Sequence, residues 1–161
     1  MKKKKLGPIK GPQPGTEMFN NAILAKVEEA AKNYLDQDDY TVNPSIANYR
    51  GIDNKSLTIP RAVVRAENAT SEMQDGTWEM DLHIEYIANA NDADGPTHHN
   101  ESAEVFARFM TATIAADLSA AAADLTVQRV IPGQVQSTKR GDEQISTLKL
   151  NLKGVVGQSG V

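Results

Sequence analysis

The chain has 161 residues with 17 basic and 21 acidic side chains, a net charge of −4, and a length that fits one domain able to bury a core without disulfides or metal. It holds no cysteine, which excludes a disulfide framework, a thiolate zinc site and a cysteine nucleophile. No apolar run approaches the length needed to cross a bilayer, and the lysines after Met1 lead into Leu6-Gly7-Pro8-Ile9-Lys10-Gly11-Pro12 rather than the apolar segment of a signal peptide.

Residues 1–15 read as an extended basic arm in which Gly7, Pro8, Gly11, Pro12, Pro14 and Gly15 exclude regular structure. The arm carries Lys2, Lys3, Lys4, Lys5 and Lys10 and no acid, so the body from Thr16 onward has a net charge of −9. A body that acidic repels a phosphate backbone, whereas nucleic-acid binding needs clustered basic charge. The arm is either a solvated tail or an interaction segment that docks on an acidic neighbour, such as an adjacent copy.

Thr16 is placed as an N-cap, and the spacing of Phe19, Ile23, Val27, Ala30 and Tyr34 predicts an amphipathic helix to about Leu35. Leu24, Ala31 and Leu35 lie beside that stripe; Glu28, Glu29 and Lys32 are read as lying off it. Residues 40–56 are irregular, with a short strand start at Tyr40 to Val42 stopped by Asn43-Pro44, then a loop from Asn48 to Asn54. Leu57 to Glu67 reads as a strand whose alternation slips at Pro60, the mark of a bulge or an edge. Asn68 to Asp75 connects it to the clearest strand in the chain. There Trp78, Met80, Leu82, Ile84 and Tyr86 alternate with Glu79, Asp81, His83 and Glu85, giving one apolar face and one wet, acidic face. The Asn/Asp/Gly/Pro-rich segment Asn89 to Asn100 is a loop.

A second helix is predicted from about Glu101 to Ala122, with Val105, Phe106, Phe109, Met110, Thr113, Ile114 and Leu118 as its apolar face. Leu125 to Ile131 is a strand broken by Pro132-Gly133. Gln144 to Val156 is another, with Leu148, Leu150 and Leu152 opposite Lys149, Asn151 and Lys153. A charged tip at Thr138 to Glu143 joins them, and its exposed charges are Lys139, Arg140, Asp142 and Glu143. Residues 157–161 form a flexible tail. The expected fold is α+β: an antiparallel sheet of about four strands built from two hairpins, with two helices packed on one face, in a single domain over residues 16–156.

Three sets of residues are candidate sites. Asp92, Asp94, His98, His99 and Glu101 offer oxygen and imidazole ligands within ten residues, but their spacing matches neither an EF-hand loop nor H-E-x-x-H. They are weak metal candidates, with His98 and His99 flanking the start of the second helix and Asn100 as its N-cap. Glu79, Asp81, His83 and Glu85 stand about 7 Å apart at alternate strand positions; as paired carboxylates they suit general acid/base chemistry, and as the wet face of a strand they suit an interface or a lumen. Arg140-Gly141-Asp142 spells an adhesion tripeptide that a hairpin turn explains without any such role. No phosphate-binding loop occurs, and no nucleophile, base and orienter set is recognisable, so neither a catalytic residue nor a cofactor is expected.

The order of elements and several local sequences resemble the tail terminator or tail-completion proteins of long-tailed bacteriophages. The points of likeness are the helix from Thr16 to Leu35, then Ile59-Pro60-Arg61-Ala62-Val63-Val64-Arg65-Ala66-Glu67. Asp75-Gly76-Thr77-Trp78-Glu79-Met80 follows, then the Asn/Asp-rich loop, a helix with Ala103-Glu104-Val105-Phe106 and Ala115-Ala116-Asp117-Leu118, and a closing hairpin. The resemblance spans roughly residues 16–156, and the long basic arm departs from it. It implies a non-enzymatic virion protein, assembled in the host cytoplasm as a hexameric ring on the head-proximal end of the tail tube. Its partners are then further copies of itself, the tube and the neck or connector proteins, with DNA passing a lumen without specific binding and no membrane contact. A minor capsid or decoration protein is the first alternative, and a small metal-dependent hydrolase using residues 92–101 the second.

Overall fold

The computed structural model describes residues 14–37, 39, 40, 42–50, 59–72, 74–89 and 95–156, with side chains from Phe19 in the first helix and from Asn100 in the second. Its order is α1 (Pro14–Asp36), β1 (Ser45–Asn48), β2 (Arg61–Glu72), β3 (Thr77–Asn89), α2 (Gly95–Ala107), α3 (Ile114–Ala120), β4 (Leu125–Arg140) and β5 (Glu143–Val156). The fold is α+β, with a five-stranded sheet in the order β1-β2-β3-β5-β4.

β3 is the central strand, as its alternation predicts. Trp78, Met80, Leu82, Ile84 and Tyr86 are all buried. They join Ala62, Val64 and Ala66 of β2, Leu148, Leu150 and Leu152 of β5 and Leu125 and Val127 of β4 in one core with the apolar faces of the helices. The helices therefore cover one face of the sheet and leave the other open. A smaller cluster of Val63, Ile87 and Ile145 lies on the open face.

The sheet is mixed, not antiparallel, and has five strands. β1 pairs parallel to β2, with Ser45 opposite Arg61 and Asn48 opposite Val64; four residues between Pro44 and Tyr49 carry too little pattern to be read as a strand. Tyr40 and Val42 are not in a strand. β2 starts after the cis Ile59-Pro60 peptide, at Arg61 rather than Leu57, and runs on to Glu72 through a bulge between Glu67 and Thr70. Asn68 takes the left-handed conformation there, at φ 60°, which Asn tolerates better than most residues. Only Gln74 to Gly76 is left as the described turn, where Glu72 O accepts the N–H groups of Asp75 and Gly76 at 3.2 and 2.8 Å.

α1 begins at Pro14, so Thr16 is inside the helix and not its cap. Proline suits a first turn because its missing N–H has no intrahelical partner there. The second helix is two: α2 starts at Gly95, with His98, His99 and Asn100 already within it, and the chain turns at residues 108–113 before α3. At that break the N–H groups of Arg108, Phe109 and Met110 bond three residues back instead of four. The break drops Phe109 into the core, edge-on to Tyr34 with ring centroids 5.4 Å apart. It also frees the carbonyl of Arg108 to accept the Tyr34 hydroxyl, and it leaves Met110 half exposed. Pro132-Gly133 does not end β4. The register shifts between Pro132 and Val135, and the strand continues to a two-residue turn at Gly141-Asp142. Gly141 has φ +59°, as the reading of a turn glycine requires.

Gly154 of β5 faces Trp78 of β3 directly. A Cβ on Gly154 would lie 2.1 Å from Trp78 Cζ2 and 2.3 Å from the carbonyl oxygen of Thr126, so the indole fills the space a side chain would take. Its Nε1–H donates to Val155 O at 3.2 Å. Replacing Gly154 by alanine is therefore expected to destabilise the domain by about 3 kcal/mol, since overpacking a rigid site forces backbone or ring to move. Urea unfolding followed by the fluorescence of the single tryptophan measures this.

Candidate functional site

The open face of the sheet gathers the four charged side chains of β3 singled out in the sequence. Glu79, Asp81, His83 and Glu85 project from β3 into this face, and each meets a partner on a neighbouring strand. Glu79 faces Lys153 at 3.9 Å. Asp81 accepts hydrogen bonds from Asn68 Nδ2 at 3.0 Å and Asn151 Nδ2 at 3.3 Å. Glu85 lies 3.5 Å from Arg65 Nη2. His83 Nδ1 lies 3.2 Å from the same Arg65 Nη2. A guanidinium only donates, so Nδ1 accepts from it when the ring is neutral, and Nε2 lies 3.6 Å from Glu67 Oε2.

Arg65 is thus the hub of the face, and the sequence alone does not reveal it. Its Nε is 3.4 Å from Glu67 Oε1, and its guanidinium carbon is 5.7 Å from the centre of the Tyr49 ring. β2 holds it there because Arg65 is opposite His83 in the β2–β3 register. On the other side of β3, Lys149 is opposite His83. The β4 bulge at Pro132–Val135 then walls a depression of about 570 Å³, with Arg65, His83 and Glu85 on one side and Gln134, Gln136 and Lys149 on the other.

Asp81 is the group on this face whose ionisation its neighbours shift. Partial burial pushes the Asp81 carboxyl upward, but the amides of Asn68 and Asn151 and the charges of Lys149 and His83 outweigh it and hold it below the ordinary value of 3.8. A general acid needs the opposite, a carboxyl held protonated near neutral pH. Tyr86, on the helix side of β3, has its phenol pushed well above 10.0 by burial first and then by Glu101 and Glu104. Its hydroxyl donates to Glu101 Oε1 at 2.8 Å and so ties α2 to the sheet.

The other candidates are not brought together. Glu101 is engaged by Tyr86, Asp92 and Asp94 lie outside the described residues, and His98 and His99 are helical positions whose side chains are outside the description. Among the described residues no group of three His, Asp or Glu side chains is placed to hold a metal ion. The lysines of the arm also lie outside the described residues. At the hairpin tip, Glu143 is bonded to Arg61 Nη2 at 3.0 Å, whereas Lys139 and Arg140 are exposed. No protein-family model matches the chain, and no curated protein matches it in sequence.

The lowered Asp81 value fixes the sign of a pH effect. The ionised carboxylate is favoured in the folded state, so its contribution is complete above pH 3.8 and is lost as pH falls through the lower folded value. Asp81→Asn is expected to lower stability at neutral pH by less than about 1 kcal/mol, because the group is well solvated. The difference in Tm between variant and wild type should vanish in the most acidic buffers, which thermal melts across pH test.

Proposed function

We propose that this chain is a non-enzymatic structural subunit of a virion, a tail terminator or neck ring protein that caps the tail tube and joins it to the head-proximal connector. One observation carries the reading furthest. β4 is sixteen residues long, pairs among the described residues only with β5, and is exposed on both faces from Gln134 to Arg140. A long two-sided edge strand invites pairing or packing by another chain unless something covers it. A ring subunit uses such an edge, whereas a monomeric enzyme is endangered by it.

The electrostatics support the same reading. The charged residues of β3 each meet a neighbour across the sheet, which suits a permanent surface. The acidic body suits a lumen that DNA crosses without sticking. Closed symmetry follows when one heterologous contact repeats with the right rotation, and a hexamer is the state the resemblance implies.

Mass photometry of the purified chain, alone and mixed with its tube protein, tests the proposal. Discrete ring-sized particles that gain mass with the tube protein are the expected result. A chain that stays monomeric in both settings contradicts it.

A further inference from the structure

The depression on the open face holds hydrogen-bonding capacity that the fold does not spend. Gln134, Gln136 and Thr147 make no side-chain hydrogen bond among the described residues, and Lys149 makes neither a hydrogen bond nor an ion pair there. The opposite wall is different. Arg65 Nη2 lies 3.2 Å from His83 Nδ1 and 3.5 Å from Glu85 Oε2, so these three side chains restrict one another. One wall is held, and the other is free to adapt.

Strand register places both walls on one face. Arg65, His83 and Lys149 are direct partners across β2, β3 and β5. Glu85, Thr147 and Gln136 are partners across β3, β5 and β4, one row along the same face. The β4 register then shifts between Pro132 and Val135. A Cβ on Gly133 would lie 2.9 Å from Lys149 O, so only a glycine lets the β4 backbone come this close to β5. The volume of about 570 Å³ falls within the usual range of small-molecule sites.

The lining decides the class of ligand. It has no apolar side chain, so an apolar ligand gains little by entering. A divalent cation would find only Glu85 and His83 as ligands, beside the two cations Arg65 and Lys149. A phosphate-like anion is drawn by those cations but repelled by Glu85 and by Glu67 and Asp81, which are paired with each other in the next row. Positive and negative charge are close to balanced. A neutral ligand dense in hydroxyl groups fits this mixture, because each hydroxyl both donates and accepts. Its hydroxyls can donate to the Glu85 carboxylate and the glutamine carbonyls, and accept from the glutamine amides and Lys149.

We infer that this depression binds a neutral saccharide, held between the Arg65–His83–Glu85 wall and the free side chains of Gln134, Gln136, Thr147 and Lys149. The site is independent of the virion reading, since it needs only the face of one subunit.

Saturation-transfer-difference NMR on the full chain tests this with glucose, galactose, mannose, N-acetylglucosamine, maltose and lactose as probes. Phosphate and citrate serve as competitors. Saturable transfer to at least one of these sugars is expected, with no displacement by equimolar phosphate or citrate. The double variant Gln136→Leu/Lys149→Leu should weaken that binding by roughly tenfold or more, the size of one or two lost hydrogen bonds. Gly133→Ala keeps every hydrogen-bonding group but forces β4 away from Lys149 O, and it should weaken binding as well. Thermal melts establish that each variant is folded, and Lys32→Gln on α1 should bind as wild type does. Absence of saturable transfer to every sugar overturns the inference, as does binding unchanged in both site variants. Displacement by phosphate or citrate overturns it too, by making the depression an anion site.

Discussion

Glu28 is fully buried in the middle of α1, and its carboxylate collects three donors. The backbone N–H of Ala66 bonds it at 2.8 Å and that of Arg50 at 3.1 Å, and the Arg50 guanidinium completes the set. The same guanidinium donates to Ala66 O at 2.7 Å. These bonds do the work of a strand. β1 ends at Asn48, and the turn after it gives one more ladder bond, from Tyr49 N–H to Val64 O at 2.8 Å. Past that point the N–H and C=O of Ala66 would be left without partners inside the protein, at a cost of about 1–3 kcal/mol each. The Glu28–Arg50 pair supplies both. Burying a carboxylate is tolerable only when its charge and lone pairs are met so completely, so the pair fixes how far along β2 the helix can sit.

That constraint shapes both edges of the sheet. On one side the ion pair closes the ladder early, and β1 stays four residues long with Tyr49 held beside Arg65. On the other side nothing comparable among the described residues closes β4, which runs past the core. The result is a subunit whose two edge strands differ in length, four residues against sixteen. The face between them is held by Arg65, which links the β2 and β3 charges into one network. Differently built edges around a charged face suit a part that meets neighbours in one orientation.

Much of this was legible in the residues. The alternation from Trp78 to Tyr86 and from Leu148 to Leu152 correctly separates the helix-covered face from the open one, because a half-buried strand leaves a period-two record. The core stripe of α1 is also as read, except at Glu28. Glu28 lies four residues after Leu24 and three before Ala31, on the apolar side by helical geometry; its charge argues for solvent, and the arginine partner that reverses the argument, Arg50, comes from outside the helix. β1 was missed because four residues in a parallel pair record little, and its pairing is set by β2. The helix break at 108–113 was hidden because Phe109, the residue it serves, fits the helical spacing equally well. Pro132 was read as a stop, since the bulge that accommodates it depends on β5.

The central claim is that the chain is a ring-forming structural subunit at the head-proximal end of a tail. Cryo-electron microscopy of intact particles, with the protein located by its α+β density or by an added label, tests it most directly. The account predicts a single closed ring of this subunit where the tail tube meets the neck. Density spread over the capsid surface, or particles that lack the protein altogether, would contradict it.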